Sequence, residues 1–157
     1  MNLHAEKIEL RQLTKKDLPA FKQLIDMFNT VFEEDQSAMS SETNLEKLLS
    51  NNNFVALVAF SENEVIGGLT AYELQMYDSD TSEIFVYDVA VKPAFQRLGI
   101  GRRLIHTLRD YCSRNGIKEF FVLAHEEDEQ AVEFYHSTGG KSEKVINFLY
   151  EAAVTHE

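Results

Sequence analysis

A single cysteine, Cys112, is all the thiol chemistry this chain has, which excludes an intramolecular disulfide framework and any multi-cysteine metal site. Long apolar runs are missing too. No stretch approaches the roughly 18 to 20 residues that would span a membrane, and residues 1–9 are too polar and charged for a signal or transit peptide. The cytoplasm is the compartment these absences leave as the default. His4, His106, His136 and His156 stand in no metal-ligand spacing with any acid, so no catalytic metal is expected. Linkers rich in Pro, Gly or Ser, internal repeats and low-complexity tracts are all lacking, so the expectation is one domain over residues 1–157. Basic residues are scarce. Fifteen Lys and Arg face 26 acids, for a formal net charge of −11. Such a surface repels nucleic acid phosphates and gathers cationic small molecules. Solubility alone accounts for the same charge, and both readings stand at this level.

What is present describes a folded α/β chain. Hydrophobic residues make up 44% and aromatics 11%, enough for a core and too much for disorder. Residues 7–13 alternate like a strand. Thr14-Lys15-Lys16-Asp17 resembles a capping box with Asp in the place of Glu, ahead of the helical stripe Leu18, Phe21, Leu24, Ile25, Phe28 and Phe32. Ser41 or Thr43 can cap a short helix carrying Leu45, Leu48 and Leu49. Residues 54–60 and 65–74 read as strands joined by the polar connection Ser61-Glu62-Asn63-Glu64. Gly67 and Gly68 suggest a bulge or a close backbone approach. A strand over 83–91, a helix over 100–115 stopped by Gly116, a short strand over 120–124, a helix near 129–137 and a last strand over 145–150 complete the pattern. The order predicts a mixed, mainly antiparallel sheet with at least one parallel crossover, flanked by helices.

Three groups of residues carry chemistry. Gln96-Arg97-Leu98-Gly99-Ile100-Gly101 lies between an apolar strand and an amphipathic helix. Glycines there permit a sharp turn and close approach, and the unpaired amides of a first helical turn attract anions. Arg97, Arg102 and Arg103 reverse the local sign of an acidic chain, which suits a diphosphate; an ordinary strand-to-helix turn is the plainer alternative. Asp88 interrupts an otherwise buried strand, where a lone carboxylate costs several kcal/mol unless it finds a partner. It pairs with a buried base, or it faces a cleft and a cationic ligand. Glu83 and Asp88 lie five apart and point to opposite sides of a regular strand, so only a bulge between them brings both to one side. Last, His125-Glu126-Glu127-Asp128-Glu129 precedes Ala131, Phe134 and Tyr135. Acids at a helix N-terminus are favourable with its dipole, and they can equally wall a pocket for ammonium groups. Tyr135 reads as a core tyrosine from its place on the helix. His125 is a loop histidine or a base, and Cys112 falls on the apolar stripe of its helix.

Taken together these residues resemble the Gcn5-related N-acetyltransferase (GNAT) superfamily. The strand ending at Val91 with Gln96-Arg97-Leu98-Gly99-Ile100-Gly101 looks like its (Q/R)-x-x-G-x-(G/A) motif, and Asp128-x-x-Ala131-x-x-Phe134-Tyr135-x-x-x-Gly139 is similar to its second motif, usually begun by Asn. A narrower likeness, carried by residues 54–57, 70–74 and 82–91 and by Asp at 128, is to aminoglycoside 3-N-acetyltransferases of type I. His125 and Glu126 depart from that group. The resemblance implies a GNAT fold and acetyl-coenzyme A as co-substrate. It also implies a cationic acceptor such as an aminoglycoside, and it leaves a homodimer open, dimers being common among such proteins. It implies that Val89, Ala90 and Val91 line the pantetheine arm and that Gln96, Arg97, Leu98, Gly99, Ile100, Gly101 and Arg102 hold the pyrophosphate. Tyr135 then protonates the departing thiolate, and Glu83, Asp88, Glu127 and Asp128 bind the acceptor, with Asp88 by the reacting amine. No plausible nucleophile sits in the motifs, so direct attack is expected. Polyamine or peptide acceptors, or a module that binds acetyl-coenzyme A without turnover, are the competing expectations.

Overall fold

Period-two apolar patterning becomes β1 (Ile8–Gln12), and the uninterrupted apolar runs become β2 (Phe54–Ser61) and β3 (Glu64–Gln75). The computed structural model describes residues 7–35 and 39–153. Next along the chain come β4 (Ser82–Val91) and β5 (Phe120–Val122). The helices are α1 (Leu18–Val31), α2 (Glu42–Leu49), α3 (Ile100–Arg114) and α4 (Glu129–Ser137). The strands lie in chain order in one sheet, antiparallel from β1 to β4 and parallel between β4 and β5, with α3 as the crossover. The expected α/β architecture, a mixed and mainly antiparallel sheet with one parallel crossover, is therefore present. The chain forms two compact units, residues 1–123 and 124–157.

The first unit holds the whole sheet and buries both of its faces. Val55, Leu57, Ala59, Ile84 and Val86 pack with Leu104, Leu108 and Cys112 of α3 on one side. Ala56, Val58, Phe60 and Val65 pack with Phe21, Leu24 and Phe28 of α1 and Leu45 of α2 on the other. Alternate residues of β2 thus feed the two cores, as the pleat requires, and Cys112 is core. Gly68 lets α1 approach: a Cβ there would come within 2.5 Å of Leu24 Cδ1 and 2.9 Å of the Leu57 carbonyl oxygen. The β2–β3 connection is tight, with Glu62 and Asn63 both at positive φ (51° and 67°), the primed turn that suits strand twist.

Two expectations need correction. The cap of α1 is Asp17, not Thr14. Its carboxylate accepts from the Thr14 amide at 2.7 Å and hydroxyl at 3.1 Å, and it makes no cap bond to the helix. Only the backward arm of a capping box forms, because the Asp17 amide donates to the Thr14 carbonyl at 2.9 Å and not to its hydroxyl. The strand expected over 145–150 is not formed. Those residues are in no regular element, and Val145, Ile146, Phe148, Leu149 and Tyr150 are 66–90% exposed. Ser41 does cap α2, accepting from the Asn44 amide at 3.2 Å. Among the described residues no helix is long and apolar enough to cross a membrane.

Candidate functional site

The end of β4 and the turn after it form one half of the site. Parallel pairing with β5 covers only Ile84, Phe85 and Val86. From Tyr87 to Val91 the strand keeps β3 on one edge and has no strand on the other among the described residues. Main-chain amides and carbonyls alternate between the two edges of a strand, so this stretch can pair with an extended ligand. Ala90 is buried against the α1-side core, and Val89 and Val91 lean on the α3-side core. Their side chains are spent on packing, which leaves the backbone for any ligand.

After Val91 the Lys92 amide donates to the Ile66 carbonyl at 2.8 Å, a short 3-10 turn spans Pro93–Phe95, and the Gln96 side-chain amide donates to the Val91 carbonyl at 2.9 Å. Gln96 thus ties the turn to the end of the strand. Arg97 and Gly99 both take left-handed backbone (φ 65° and 79°), and only glycine does so without strain, so Arg97 stores some. The two residues curl the chain into α3. The first i→i−4 bond of that helix runs from the Arg103 amide to the Gly99 carbonyl at 3.0 Å, and Gly99 has no side chain with which to cap. The amides ahead of Arg103 therefore have no helical acceptor and aim out of the helix end, where the dipole favours an anion. A Cβ on Gly99 would meet nothing within 4 Å, so the approach to these amides is open. Leu98 and Ile100 pack inward, whereas Arg97 and Arg102 lie at the surface. Arg103 turns elsewhere, its guanidinium donating to the Ile8 carbonyl of β1 at 3.4 Å.

The other half lies on the α1-side face of β4. Thr70 pairs with Asp88 and Ala71 with Val86, so Tyr87 is an extra, bulged residue. The bulge resets side-chain parity. Ile84 and Val86 before it, and Val89 and Val91 after it, all join the α3-side core. Glu83, Phe85 and Asp88 consequently share the opposite face, as the five-residue spacing required. A chain of rings runs beside the two acids: Phe54 to Tyr72 at 5.3 Å, Tyr72 to Tyr87 at 5.9 Å, Tyr87 to Phe85 at 6.0 Å and Phe85 to Phe121 at 4.9 Å. Burial pushes the Asp88 carboxyl above its ordinary pKa, and the charge of Glu34, just past α1, pushes it further. Burial, then Tyr87 and Asp88, likewise raise the Tyr72 phenol. Among the causes of these shifts no basic group opposes them, so the arrangement has surplus negative charge and aromatic surface and suits an organic cation. Glu34, Tyr72 and Tyr87 were not among the residues singled out from sequence. A concavity of about 530 Å³ in the same unit lies elsewhere, bordered by Met27 and Val31 of α1 and by Pro93.

The second unit holds the remaining predicted residues. Asp128 is the N-cap of α4, and its Oδ1 accepts from the Ala131 amide at 3.1 Å. Glu127 is exposed beside it, and His125 donates no side-chain contact to the cap; it is the His125 carbonyl that accepts from the Asp128 amide at 3.0 Å. Tyr135 is partly buried, its ring 5.2 Å from Phe134, and its carbonyl accepts from the Gly140 amide at 2.8 Å. A Cβ on Gly140 would sit 2.9 Å from that oxygen, and Gly139 before it takes positive φ (97°), so each glycine of the pair has its own reason.

Comparison with known proteins gives these features a context. The model of the acetyltransferase (GNAT) family matches residues 18–139. The fold is similar to that of an aminoglycoside acetyltransferase, meta-AAC0020, from an uncultured soil metagenomic sample. The two share 38% identity with a TM-score of 0.91, over 94% of this chain and 98% of the other, and the relative was crystallised with trehalose and with sisomicin. A second aminoglycoside acetyltransferase of soil metagenomic origin, HMB0005, is 30% identical with a TM-score of 0.88, over 93% and 99% of the two chains. An uncharacterized N-acetyltransferase of Bacillus subtilis, YhfO, is 24% identical over 84% of this chain and 89% of its own.

Proposed function

We propose, from the premise that this chain belongs to the acetyltransferase (GNAT) family, that it transfers acetyl from acetyl-coenzyme A to the 3-amino group of an aminoglycoside. The reading takes residues 1–157 as one catalytic domain, since the family match runs across the boundary between the two compact units. On the grounds of composition its compartment is the cytoplasm. In the donor half, main-chain groups of Val89, Ala90 and Val91 pair with the pantetheine arm, and the amides from Arg97 to Arg102 hold the pyrophosphate. What supports this is the edge of β4 beyond Val86, which has no strand beside it among the described residues, followed after the turn by a helix start without a side-chain cap.

The acceptor amine attacks in a ternary complex. Its lone pair bonds to the thioester carbonyl carbon, the carbon–sulfur bond breaks, the ammonium proton passes to Asp88, and Tyr135 protonates the thiolate. A β4 amide stabilises the oxyanion that develops. A thioester is already activated, so positioning is the main contribution, roughly 7 to 11 kcal/mol in favourable cases. Glu83, with Glu127 and Asp128, holds the other ammonium groups of the acceptor. Asp128 has least capacity for this, because one of its oxygens already serves the Ala131 amide.

One observation carries the acceptor assignment: the Tyr87 bulge, with Glu83 and Asp88 on the same face beside a chain of rings. Thiol release measured across aminoglycoside, polyamine and peptide amines tests it, with NMR of the product locating the acetyl group. Turnover on aminoglycosides with acetylation at N3 is expected. Turnover confined to polyamines or peptides, or binding of acetyl-coenzyme A with no thiol released on any amine, sinks the proposal.

A further inference from the structure

Large apolar side chains at a surface are ordinary when isolated, but on β3, β4 and β5 several stand together. Tyr72 lies opposite Phe85 and Leu74 opposite Glu83 in the antiparallel ladder, and Phe85 lies beside Phe121 in the parallel one. Directly paired residues share a face, so Leu74, Tyr72, Phe85 and Phe121 belong to the face that carries Glu83 and Asp88. Ile84 and Val86, of the opposite parity, are fully buried. On the acid-bearing face, by contrast, Leu74 is 40% exposed, Phe121 37% and Tyr87 61%. All of these residues belong to the first compact unit. A partly uncovered apolar platform beside two carboxylates has the character of a binding surface.

Tyr87 is the most exposed ring of the platform. It is also the extra residue of the bulge, a feature that re-aims a side chain beside a site. Its ring meets Tyr72 at 84° and Phe85 at 80°, both edge contacts. Two neighbours therefore limit where the ring can go and still leave more than half of the residue uncovered. Asp88 is the next residue along the strand, so an ammonium group held there brings the molecule that bears it against this ring. The face of an aromatic ring attracts both cations and apolar surface.

Such a platform favours one shape of cation. A rigid cyclic molecule sets a flat face on the ring without freezing any bond. A linear polyamine must order several rotatable bonds to lie the same way, and that entropy offsets the contact. Charge does not tell the two apart, because the acids attract both.

We infer that Tyr87 is a specificity-determining residue of the acceptor site, its exposed ring receiving a ring of the acceptor and so selecting cyclic polyamines over linear ones. The inference rests on the acceptor assignment under the proposed function and supplies the shape selection that the acids lack. Tyr87 takes no part in making or breaking bonds.

Titration calorimetry of the full chain with gentamicin, spermine and acetyl-coenzyme A, for the wild type, Tyr87→Leu and Tyr87→Phe, tests it. Tyr87→Leu is expected to raise Kd for gentamicin about 10-fold, the scale of a lost contact between a cation and a ring. For spermine the rise should stay below about 3-fold. Tyr87→Phe keeps the ring and should bind both ligands within about 2-fold of the wild type. Binding of acetyl-coenzyme A should be the same in all three proteins, whereas a merely structural role for Tyr87 in shaping β4 would weaken it in Tyr87→Leu. A leucine variant that binds gentamicin like the wild type, or that weakens gentamicin and spermine equally, overturns the inference and leaves the acceptor assignment standing. So does a phenylalanine variant as weak as the leucine one, or a matching loss of acetyl-coenzyme A binding. A wild type that binds no gentamicin overturns the acceptor assignment, and the inference with it.

Discussion

Asp88 in β4 and Asp128 at the start of α4 stand out in the sequence for the same reason, a carboxylate at the edge of an apolar pattern, but they relate to the fold in opposite ways. Asp128 caps a helix, lies at the surface and satisfies a main-chain amide, so the fold gains from its charge. Asp88 is partly buried, and both its burial and Glu34 raise its pKa, which means the folded state holds that charge at a cost. A carboxylate retained against the interest of stability is a candidate for chemistry, whereas one that stabilises its own helix already has a sufficient reason to be there.

Deleting Tyr87 tests the geometry on which this contrast rests. The extra residue goes and the ladder becomes regular, with Thr70 still opposite Asp88 and Ala71 opposite Val86, so each remaining side chain keeps its face. Ile84, Val86, Val89 and Val91 stay with the α3-side core, and Glu83 and Asp88, now four positions apart, still share the other face. The variant is expected to keep a cooperative transition in urea and to lose the ring contacts of Tyr87 with Tyr72 and Phe85, at roughly 0.5 to 1.5 kcal/mol each. Loss of the cooperative transition contradicts the assignment of Tyr87 as the extra residue.

Replacing Asp88 by Asn sharpens the contrast by separating activity from stability. Acetyl transfer is expected to fall about 10²- to 10⁴-fold, the range for losing a general base. The acid limb of the kcat/KM profile is expected to go with it. Stability should move the other way. A carboxyl whose pKa is raised in the folded state contributes stability below its unfolded pKa and loses it as pH rises through the folded value. At neutral pH, then, Asp88→Asn should melt above the wild type, and the gap should close on acidification below the ordinary carboxylate range. Thermal melts from pH 3 to 8 decide it; a variant less stable than wild type at pH 7 contradicts the account of Asp88.

How much of this was legible beforehand follows from how local each feature is. The span of α4, the capping of α2 by Ser41 and the turn from Gln96 to Gly101 depend on residues within a few positions of one another, and their patterns are readable directly. The bulge was legible only as a condition, since two acids five apart need one if they are to meet. Tyr72 and Glu34 become neighbours of Asp88 through the register Thr70 to Asp88 and through the path of the chain after α1, which no short window contains. The strand expected over 145–150 shows the limit most plainly. Alternation and β-rich composition record a capacity to pair, but a strand exists only where an edge receives it. Thr14 misled for a smaller reason: Ser or Thr followed three residues later by an acid is ambiguous when the acid can itself begin the helix.

The smallest effect tests the other aspartate. If Asp128 serves α4 chiefly as a cap, Asp128→Ala removes the bond to the Ala131 amide and should cost about 1 kcal/mol in chemical denaturation. Asp128→Asn keeps an oxygen in the same place and should restore nearly all of that stability. The same pair measures what the charge does for the acceptor. Under the proposed function both variants lose the charge of one of several acids, so both should raise KM for a polycationic acceptor by a similar factor and leave kcat almost unchanged. If Asn restored stability and KM together, Asp128 would be a cap and nothing more, and the acceptor site would rest on Glu83, Asp88 and Glu127. The contrast with Asp88 would then be complete, because there the Asn variant is expected to gain stability and lose turnover.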